Sequence, residues 1–341
     1  MIEAMFYSAK KHKEVVCNLC CHGCRIQSGK RGICGVRKNI DGILYSLVYG
    51  MIAAEHADPV EKKPLFHFLP GSRSFSISTV GCNMQCKHCQ NYEISQYPHT
   101  HDGNISGTFR SPEDVVSQAL AAQCASISYT YVEPTVFYEF AYETAKLARR
   151  HTLKNIFVSN GFMTPEVTRH LAPVLDGINI DLKAFTNDFY TKVCRARLQP
   201  VLDTIRYMHD LGVWVEVTTL LIPGLNDTPE ELRKIAEFIC TLDRDIPWHV
   251  TAFHPTFTMT DRPVTPTESL HKARKIGFSE GLHFVYAGNA HGGGGENTRC
   301  PGCGSELIIR HGFSIPQNSL RNGCCGSCGE KIAGVWKPSA N

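Results

Sequence analysis

Between residues 74 and 290 the chain alternates short hydrophobic runs with longer stretches whose apolar residues recur at helical spacing. The short runs are rich in β-branched and aromatic residues and end in polar or glycine-rich segments, which is typical of strands buried in a sheet. Strands that alternate with helices indicate a parallel sheet. The pattern predicts six strands, at residues 74–80, 126–131, 155–160, 177–183, 213–222 and 248–254.

Three of the predicted helices begin at recognisable start signals. After Ser111, Thr228 and Thr265, proline stands at the first helical position and an acidic residue follows in the first turn, where it interacts favourably with the helix dipole. Thr228 and Glu231 also have the spacing of a capping box. Six or seven such units predict an α/β fold, in the form of a full or partial (β/α) barrel.

Polar side chains stand where the predicted strands end. In the strand at 177–183, alternation places Asn179, Asp181 and Lys183 on the side opposite the apolar residues, as expected if they face an interior cavity. Barrel enzymes build their sites at the C-terminal ends of the strands, so we expect the functional site at this rim. Its candidate residues are Cys82, Glu133, Asn160, Asp181, Lys183, Asn226 and His254.

The composition is that of an ordinary globular protein. The 341 residues are 43% hydrophobic and 20% charged, and the net charge of +3 is small. Such a charge argues against a nucleic-acid partner or an anionic membrane surface, and no apolar run approaches the roughly 18 residues of a membrane span. The first residues lack the apolar core of a signal peptide. We therefore expect a cytoplasmic protein with no nucleic-acid or membrane partner.

Cysteine is the residue type that changes this picture. Clustered cysteines in a reducing compartment indicate metal binding rather than disulfides. The scattered Cys124, Cys194 and Cys240 are expected to be small core residues. Thirteen of the sixteen cysteines form three clusters, which are Cys17, Cys20, Cys21, Cys24 and Cys34; Cys82, Cys86 and Cys89; and Cys300, Cys303, Cys324, Cys325 and Cys328.

The central cluster has the spacing Cys-x3-Cys-x2-Cys, at Cys82, Cys86 and Cys89, with no fourth cysteine nearby. A complete 4Fe-4S cluster takes four thiolates, so three ligands leave one iron open to a small molecule. The alternative is a zinc knuckle, but zinc sites usually need a fourth ligand. The spacing therefore favours an iron–sulfur cluster that performs chemistry.

The two outer clusters predict further metal sites. Cys300, Cys303, Cys325 and Cys328 form two Cys-x2-Cys hooks, the pattern of a zinc-ribbon or rubredoxin-like site in which zinc is favoured over iron. The N-terminal set is looser, with spacings of x2, x3 and x9, and fits zinc or an auxiliary iron–sulfur cluster. Cys21 and His22 are substitute ligands there. The N-terminal set comprises Cys17, Cys20, Cys24 and Cys34.

The clusters and the β/α pattern divide the chain into five parts. We predict an N-terminal cysteine-rich unit at 1–50, a connection at 51–73 and the barrel at 74–290. A glycine-rich linker follows at 291–297, and a zinc-ribbon or rubredoxin-like unit occupies 298–341. Glycine-rich segments of this kind behave as flexible chain.

Several segments together resemble one family. The chain is similar to the radical S-adenosylmethionine (SAM) enzyme of the AmmeMemoRadiSam system, and hence to activating enzymes of glycyl radical enzymes such as the pyruvate formate-lyase activating enzyme. Two positions depart from the family pattern: Cys21 replaces a proline, and Val158 stands where activating enzymes have an acidic residue, which puts their monovalent cation site in doubt. The matching segments are 17–24, 32–37, 58–71, 81–91, 129–135, 179–183 and 219–227.

The resemblance implies roles for the rim residues. Cys82, Cys86 and Cys89 would ligate three irons, and the amino and carboxylate groups of SAM would chelate the fourth. Glu133 would accept a hydrogen bond from the SAM amino group, or else act as a helix-start acid before Pro134. The other expected SAM-site residues, each with a structural alternative (a turn, an internal ion pair or a structural histidine), are Ser159, Asn160, Asp181, Lys183 and His254.

The resemblance also implies the reaction. An external reductant, a flavodoxin or a ferredoxin, would reduce the 4Fe-4S cluster, and SAM would be cleaved to methionine and a 5′-deoxyadenosyl radical that abstracts hydrogen from an unknown substrate. The other two proteins of the system would be partners. Two alternatives are a glycyl radical enzyme activase and a non-catalytic metal-binding scaffold.

Overall fold

The computed structural model describes residues 1–289 and 295–337. Its centre is an eight-stranded sheet in which strands adjacent in the chain are also adjacent in space. The first pair is antiparallel and the remaining pairs are parallel. The strands are β1 (Ala54–Pro59), β2 (Arg73–Ser78), β3 (Ser126–Tyr129), β4 (Lys154–Ser159), β5 (Gly177–Asp181), β6 (Trp214–Leu221), β7 (Trp248–Ala252) and β8 (Val285–Gly288).

Six longer helices form the crossovers between the parallel strands. The fold class is confirmed: this is an α/β protein with a mostly parallel sheet. Within residues 1–289 and 295–337 no strand pairs β1 with β8, so the described sheet is open rather than closed by hydrogen bonds. The helices are α1 (Pro112–Ala121), α2 (Tyr138–Arg150), α3 (Pro165–Leu171), α4 (Leu198–Asp210), α5 (Pro229–Leu242) and α6 (Thr267–Ser279).

Two of the three predicted helix starts are found as expected. Ser111 closes a reciprocal capping box with Asp114, and the Thr228 side chain accepts a hydrogen bond from the Glu231 backbone. The third helix begins one residue later than predicted, with Pro266 before it. The Thr265 hydroxyl is not a cap there, because it accepts from Phe253 N at 2.8 Å and donates to a neighbouring strand.

All six predicted strands are present and end within two residues of the predicted bounds. The two edge strands β1 and β8 were not predicted. Strand β1 lies in the segment expected to be a connection and reads Ala-Glu-His-Ala-Asp-Pro, which lacks β-branched residues. Edge strands bury less surface than central ones, so their hydrophobic pattern is weaker.

The segment after β1 closes the end of the sheet opposite the rim. Two backbone amides, those of Phe66 and His67, donate to the buried Glu216 carboxylate at 2.9 and 2.8 Å. Asn179 was expected to face a ligand cavity, but it is completely buried and donates to Pro64 O at 2.8 Å. This end of the interior is therefore filled by protein, and the space for a ligand lies toward the rim.

The N-terminal unit consists of short antiparallel strands, 3₁₀ turns and cysteine-bearing loops packed on the rim side of the sheet. Two of its three-stranded sheets are formed within residues 2–46. Strand Met51–Ile52 pairs with Thr108–Phe109 from the β2–α1 connection. The remaining short strands of this part are Ile2–Glu3, Tyr7–Ala9, Val15–Cys17, Arg25–Ile26, Arg37–Ile40 and Ile43–Ser46.

The C-terminal unit packs against the opposite end of the sheet. His67 Nδ1 donates to Ala333 O at 2.7 Å, and its Nε2 accepts from Tyr286 Oη at 2.6 Å. Leu307, Ile308 and Ile332 form an apolar contact with strand β8 and the segment at 66. The strands of the C-terminal unit are Thr298–Arg299, Glu306–His311, Ser314–Asn318, Leu320–Arg321 and Cys324–Cys325.

Most of the predicted glycine-rich linker at 291–297 lies outside the described residues, and so do the last four positions of the predicted unit at 298–341. Among the helices that are described, none combines the length and the apolar character needed to cross a membrane.

Candidate functional site

The three-cysteine loop begins directly after β2 and rests on the N-terminal unit. Gly81 has a φ of +93°, and a Cβ atom there would lie 2.4 Å from Val36 Cγ1 and 2.9 Å from Cys34 O. Only glycine accepts this backbone conformation without strain and permits this approach. The loop of Cys82 therefore touches the segment of Cys34 directly.

Cys82, Cys86 and Cys89 are arranged more widely than ligands of a single ion. Cys86 is buried, and the other two are partly buried. In the described structure these three sulfur atoms do not form a set within 4.8 Å of one another. Thiolates that bind different irons of one cluster need such separation, so the residues fit a 4Fe-4S cluster.

Glu133 follows β3 and is buried at the centre of the rim. Its Oε1 accepts hydrogen bonds from Thr135 N at 3.1 Å, from the Thr135 hydroxyl and from Ser159 Oγ at 2.9 Å. Its Oε2 accepts from Asn160 N at 2.7 Å. Glu133 also caps the 3₁₀ helix Pro134–Phe137, so the helix-start alternative is observed together with a position beside the cysteine loop.

Asn160 links Glu133 to that loop. Its side-chain amide donates to Asn83 Oδ1 at 2.7 Å and lies 3.9 Å from Cys82 Sγ. Asn83 was not predicted as a site residue, although it directly follows Cys82 in the motif. The structure thus brings together Glu133, Ser159 and Asn160 with the cysteine loop, as the rim argument requires.

Burial dominates the electrostatics of this group. Burial raises the pKa of Glu133, although the hydrogen bonds from Thr135, Asn160 and Ser159 oppose it. Burial, followed by the charge of Glu133, raises the pKa of the Cys82 thiol well above its ordinary value. A thiolate or carboxylate in this environment needs positive charge beside it, which iron and the SAM ammonium group would both supply.

The remaining rim residues lie in two different settings. Lys183 Nζ and Asp181 Oδ2 are 2.7 Å apart in an ion pair, so the internal-pair alternative is present. Asn226 is buried and holds the β6–α5 loop by bonds to Ile222 N and Lys183 O. His254 is exposed beyond the end of β7, and among the described residues it makes no hydrogen bond with the others.

Cys194 has a place that its spacing in the sequence did not reveal. The ligand atoms of Cys86, His88 and Cys194 all lie within 4.8 Å of one another. Burial and then Lys183 lower the pKa of His88 to about 3, so its ring is neutral. The backbone N–H of Gln85 donates to Cys194 O at 3.1 Å, which anchors the π-helical turn Tyr190–Cys194 against the loop.

The N-terminal cysteines face one enclosed cavity immediately beside the rim. The wall includes Asn83 and Thr135, which also contact the site described above. Burial raises the pKa of Cys34 to about 11, so its thiolate would require a compensating cation. The cysteines that line this cavity are Cys17, Cys20, Cys24 and Cys34.

The C-terminal cysteines form a compact set that could bind a metal ion. Cys300 and Cys328 have sulfur atoms 3.6 Å apart, and those of Cys303 and Cys325 are 3.7 Å apart. All four sulfur atoms lie within 4.8 Å of one another. A single tetrahedral ion with metal–sulfur bonds of about 2.3 Å holds its ligands about 3.8 Å apart, which matches this set.

Comparison with known proteins identifies relatives of this chain. The model of the Radical SAM superfamily matches residues 76–239. Over 335 residues the chain is 45% identical to an uncharacterized protein of Methanocaldococcus jannaschii, covering 97% of this chain and 99% of that protein. It is 27% identical to the pyruvate formate-lyase-activating enzyme of Streptococcus mutans, over 54% of this chain and 72% of the relative.

A solved structure shows the same fold. A radical SAM methyltransferase from Sphaerobacter thermophilus superposes with a TM-score of 0.52 at 17% identity, over 66% of this chain and 68% of that one. The sheet, the cysteine loop after its first parallel strand and these similarities define a radical SAM enzyme fold. Residues 76–239 therefore form a radical SAM domain, and the chain is homologous to the pyruvate formate-lyase-activating enzymes.

Proposed function

We propose that this chain is a radical SAM enzyme that reductively cleaves SAM and uses the product radical to abstract hydrogen from a substrate that is still unknown. When bound, a 4Fe-4S cluster on Cys82, Cys86 and Cys89 together with SAM supplies the electron and the 5′-deoxyadenosyl radical. The protein's own task is to hold these groups, to orient SAM and to exclude water.

The observation that carries this proposal is the chain of contacts from Glu133 through Asn160 to Cys82. Glu133 supplies a buried negative charge opposite the expected position of the SAM ammonium group, where a charge-assisted hydrogen bond is strong. Asn160 connects Glu133 to Asn83, because its backbone N–H donates to Glu133 and its side-chain amide donates to Asn83. Rigid strand ends would thereby hold Glu133 in a fixed position relative to the Cys82 loop.

Asp181 and Lys183 are proposed to line the same space from β5. Their ion pair leaves Asp181 partly exposed, with 36% of its side chain accessible. Ser159 orients Glu133 through its hydroxyl at 2.9 Å. His254, exposed at the end of β7, is proposed to contact the adenine or ribose once SAM is bound.

The test is anaerobic. The protein is reconstituted with iron and sulfide, given SAM and dithionite, and assayed for 5′-deoxyadenosine. Cys86→Ala should abolish the product because it removes a proposed iron ligand. Cys240→Ala is the matched control, since Cys240 lies half-buried on α5, and it should retain full activity. Equal product from both variants, or none from a wild-type protein that holds a complete cluster, contradicts the proposal.

A glycyl radical activase is the second candidate function. It is supported by the homology to pyruvate formate-lyase-activating enzymes and to a putative glycyl-radical enzyme activating enzyme of Methanocaldococcus jannaschii at 26% identity. An activase leaves a stable glycyl radical on a protein partner. Electron paramagnetic resonance of the reaction mixture distinguishes the two, because a small-molecule substrate leaves no persistent protein radical.

The sequence motifs support a narrower assignment within the superfamily. We propose that the chain is the radical SAM enzyme of the AmmeMemoRadiSam system, that it works in the cytoplasm beside the system's other two proteins, and that a flavodoxin or ferredoxin reduces it. Co-purification of the chain with either of those two proteins tests the assignment.

The C-terminal cysteine set is proposed to bind zinc. Its sulfur–sulfur distances of 3.6 and 3.7 Å fit one tetrahedral ion. Zinc analysis of the purified protein before reconstitution tests this, and iron in place of zinc would identify a rubredoxin-like centre instead.

A further inference from the structure

The N-terminal cysteines meet in space although they come from separate segments. Cys17 ends the strand Val15–Cys17, Cys20 and Cys24 stand in the following turn, and Cys34 lies in the loop before the strand Arg37–Ile40. A single enclosed cavity is lined by all four and by the buried Arg37. Four thiolates around one cavity are a complete ligand set for a metal centre.

The spacing of these sulfurs argues against a single bound ion. Within the part of the chain that the structure describes, no three N-terminal cysteine sulfurs lie within 4.8 Å of one another. The C-terminal set meets that limit and the radical SAM cysteines do not. The N-terminal set therefore lacks the narrow spacing of the C-terminal set, as Cys82, Cys86 and Cys89 also do.

Arg37 is an independent sign of an anionic centre in the cavity. Its side chain is only 1% exposed, and it pairs with Glu139 through one nitrogen. Its Nε and Nη1 atoms are buried and have no hydrogen-bond partner among the described residues. Buried donors are normally satisfied, and a thiolate-ligated cluster with its sulfides offers the acceptors that the protein here does not.

The two substitute ligands considered from the sequence are already engaged. The Cys21 thiol donates to Met163 O at 3.1 Å and lies outside the cavity lining. His22 Nε2 is bonded to Asn83 O at 2.7 Å. The four cysteines complete a ligand set without either residue, although His22 also lines the cavity.

The cavity lies directly behind the radical SAM loop. Gly81, the residue before Cys82, is in van der Waals contact with the backbone of Cys34. His22 bonds to the loop at Asn83, and Thr135, a donor to Glu133, forms part of the cavity wall. Cys24 is only partly buried, and the cavity wall also includes the exposed Ile33. The site thus connects the protein surface to the catalytic loop.

We propose that Cys17, Cys20, Cys24 and Cys34 hold a second iron–sulfur cluster, which relays single electrons from an external reductant to the radical SAM cluster. One reductant molecule is oxidised by one electron, which enters near Cys24 and passes near Cys34 to the radical SAM cluster, which is reduced by that electron. The relay rests on the proposed function, whereas the cluster itself does not.

The first experiment counts metals without using activity. The triple variant Cys82→Ala/Cys86→Ala/Cys89→Ala is reconstituted, and iron, acid-labile sulfide and zinc are measured, with Mössbauer spectra of this variant and of wild type. We expect the triple variant to keep one cluster's iron and sulfide, and wild type to hold two. A triple variant that holds only zinc, or a wild type with one cluster and a second zinc ion, overturns the proposal.

Two further variants locate the cluster. Cys20→Ser/Cys24→Ser should lose one cluster's iron while keeping the other, and Cys21→Ser, in the same turn, should keep both. The wild-type Mössbauer count stands even if the double variant fails to fold. Loss of iron in Cys21→Ser alone would contradict the ligand assignment.

The relay is tested by reduction kinetics with flavodoxin as electron donor. In Cys20→Ser/Cys24→Ser we expect the radical SAM cluster to be reduced at least about tenfold more slowly than in wild type. Equal reduction rates in the variant and in wild type overturn the relay. The presence of the second cluster is then decided by the metal count alone. Metal content and reduction rate are measured without SAM. A failure of the proposed SAM cleavage can therefore be distinguished from a failure of the second cluster or of the relay.

Discussion

Glu133→Gln is the substitution that examines the SAM site most closely. It keeps the size of the side chain and removes its negative charge. Oε1 accepts three of the four hydrogen bonds to Glu133, while Oε2 accepts only that of Asn160 N at 2.7 Å. A glutamine amide therefore places its NH₂ group against the Asn160 N–H, where two donors face each other.

The magnitude follows from these contacts. A hydrogen bond to a charged group contributes about 1.5–3 kcal/mol, and a buried donor left without its acceptor costs about 1–3 kcal/mol. We expect the free energy of unfolding to fall by about 2 kcal/mol. Loss of the charge opposite the SAM ammonium group should weaken SAM binding by a further factor of about 10–100.

The assay is equilibrium binding of SAM to anaerobically reconstituted protein, with iron content measured in parallel. The matched control is Glu61→Gln, because Glu61 is also buried and accepts a backbone hydrogen bond, from Gly71 N at 2.8 Å, away from the rim. The control should bind SAM as wild type does. If Glu133→Gln keeps a complete cluster and wild-type affinity, Glu133 is only a helix cap and the reasoning fails.

Three further predictions concern the rest of the chain. Burial lowers the pKa of His67 from 6.5 to about 4, so on acidification the unfolded chain binds a proton before the folded chain does. Between pH 7 and pH 5, wild type should therefore lose about 2 kcal/mol of unfolding free energy relative to His67→Gln, as measured by urea unfolding. Parallel pH profiles of the two proteins would refute this. Glu216→Ala removes the acceptor of four hydrogen bonds, which come from the backbone amides of Phe66 and His67 and from the side chains of Trp214 and His249. The free energy of unfolding in urea should fall by about 3 kcal/mol. A fall below about 1 kcal/mol contradicts the network. Cys300→Ser should remove one metal equivalent, measured by elemental analysis, with iron in the radical SAM loop unchanged; unchanged total metal would count against the C-terminal site.

The central sheet could be predicted because its strands are buried on both faces. Runs rich in β-branched and other apolar residues, such as β4 and β6, are typical of strands buried in a parallel sheet. The edge strand β1 lacks that pattern, and its position is set by pairing with β2 through the backbone, which a side-chain pattern does not show.

The cysteine and rim residues could be predicted because their chemistry is local in the sequence or because strand ends meet at one edge of a parallel sheet. Contacts between distant segments could not. Arg37 pairs with Glu139 across 102 positions, and Cys194 reaches Cys86 only through the turn after β5. Both depend on how the N-terminal unit and the π-helical turn pack, which the hydrophobic pattern leaves open.

The central claim is that Cys82, Cys86 and Cys89 hold a cluster with one iron open to SAM. The most direct measurement is electron paramagnetic resonance of the reduced protein with and without SAM, using the Cys20→Ser/Cys24→Ser variant so that one cluster dominates the spectrum. We predict that SAM changes the g values, since its amino and carboxylate groups bind the open iron. A cluster spectrum that stays the same while SAM is bound to the protein would contradict the account.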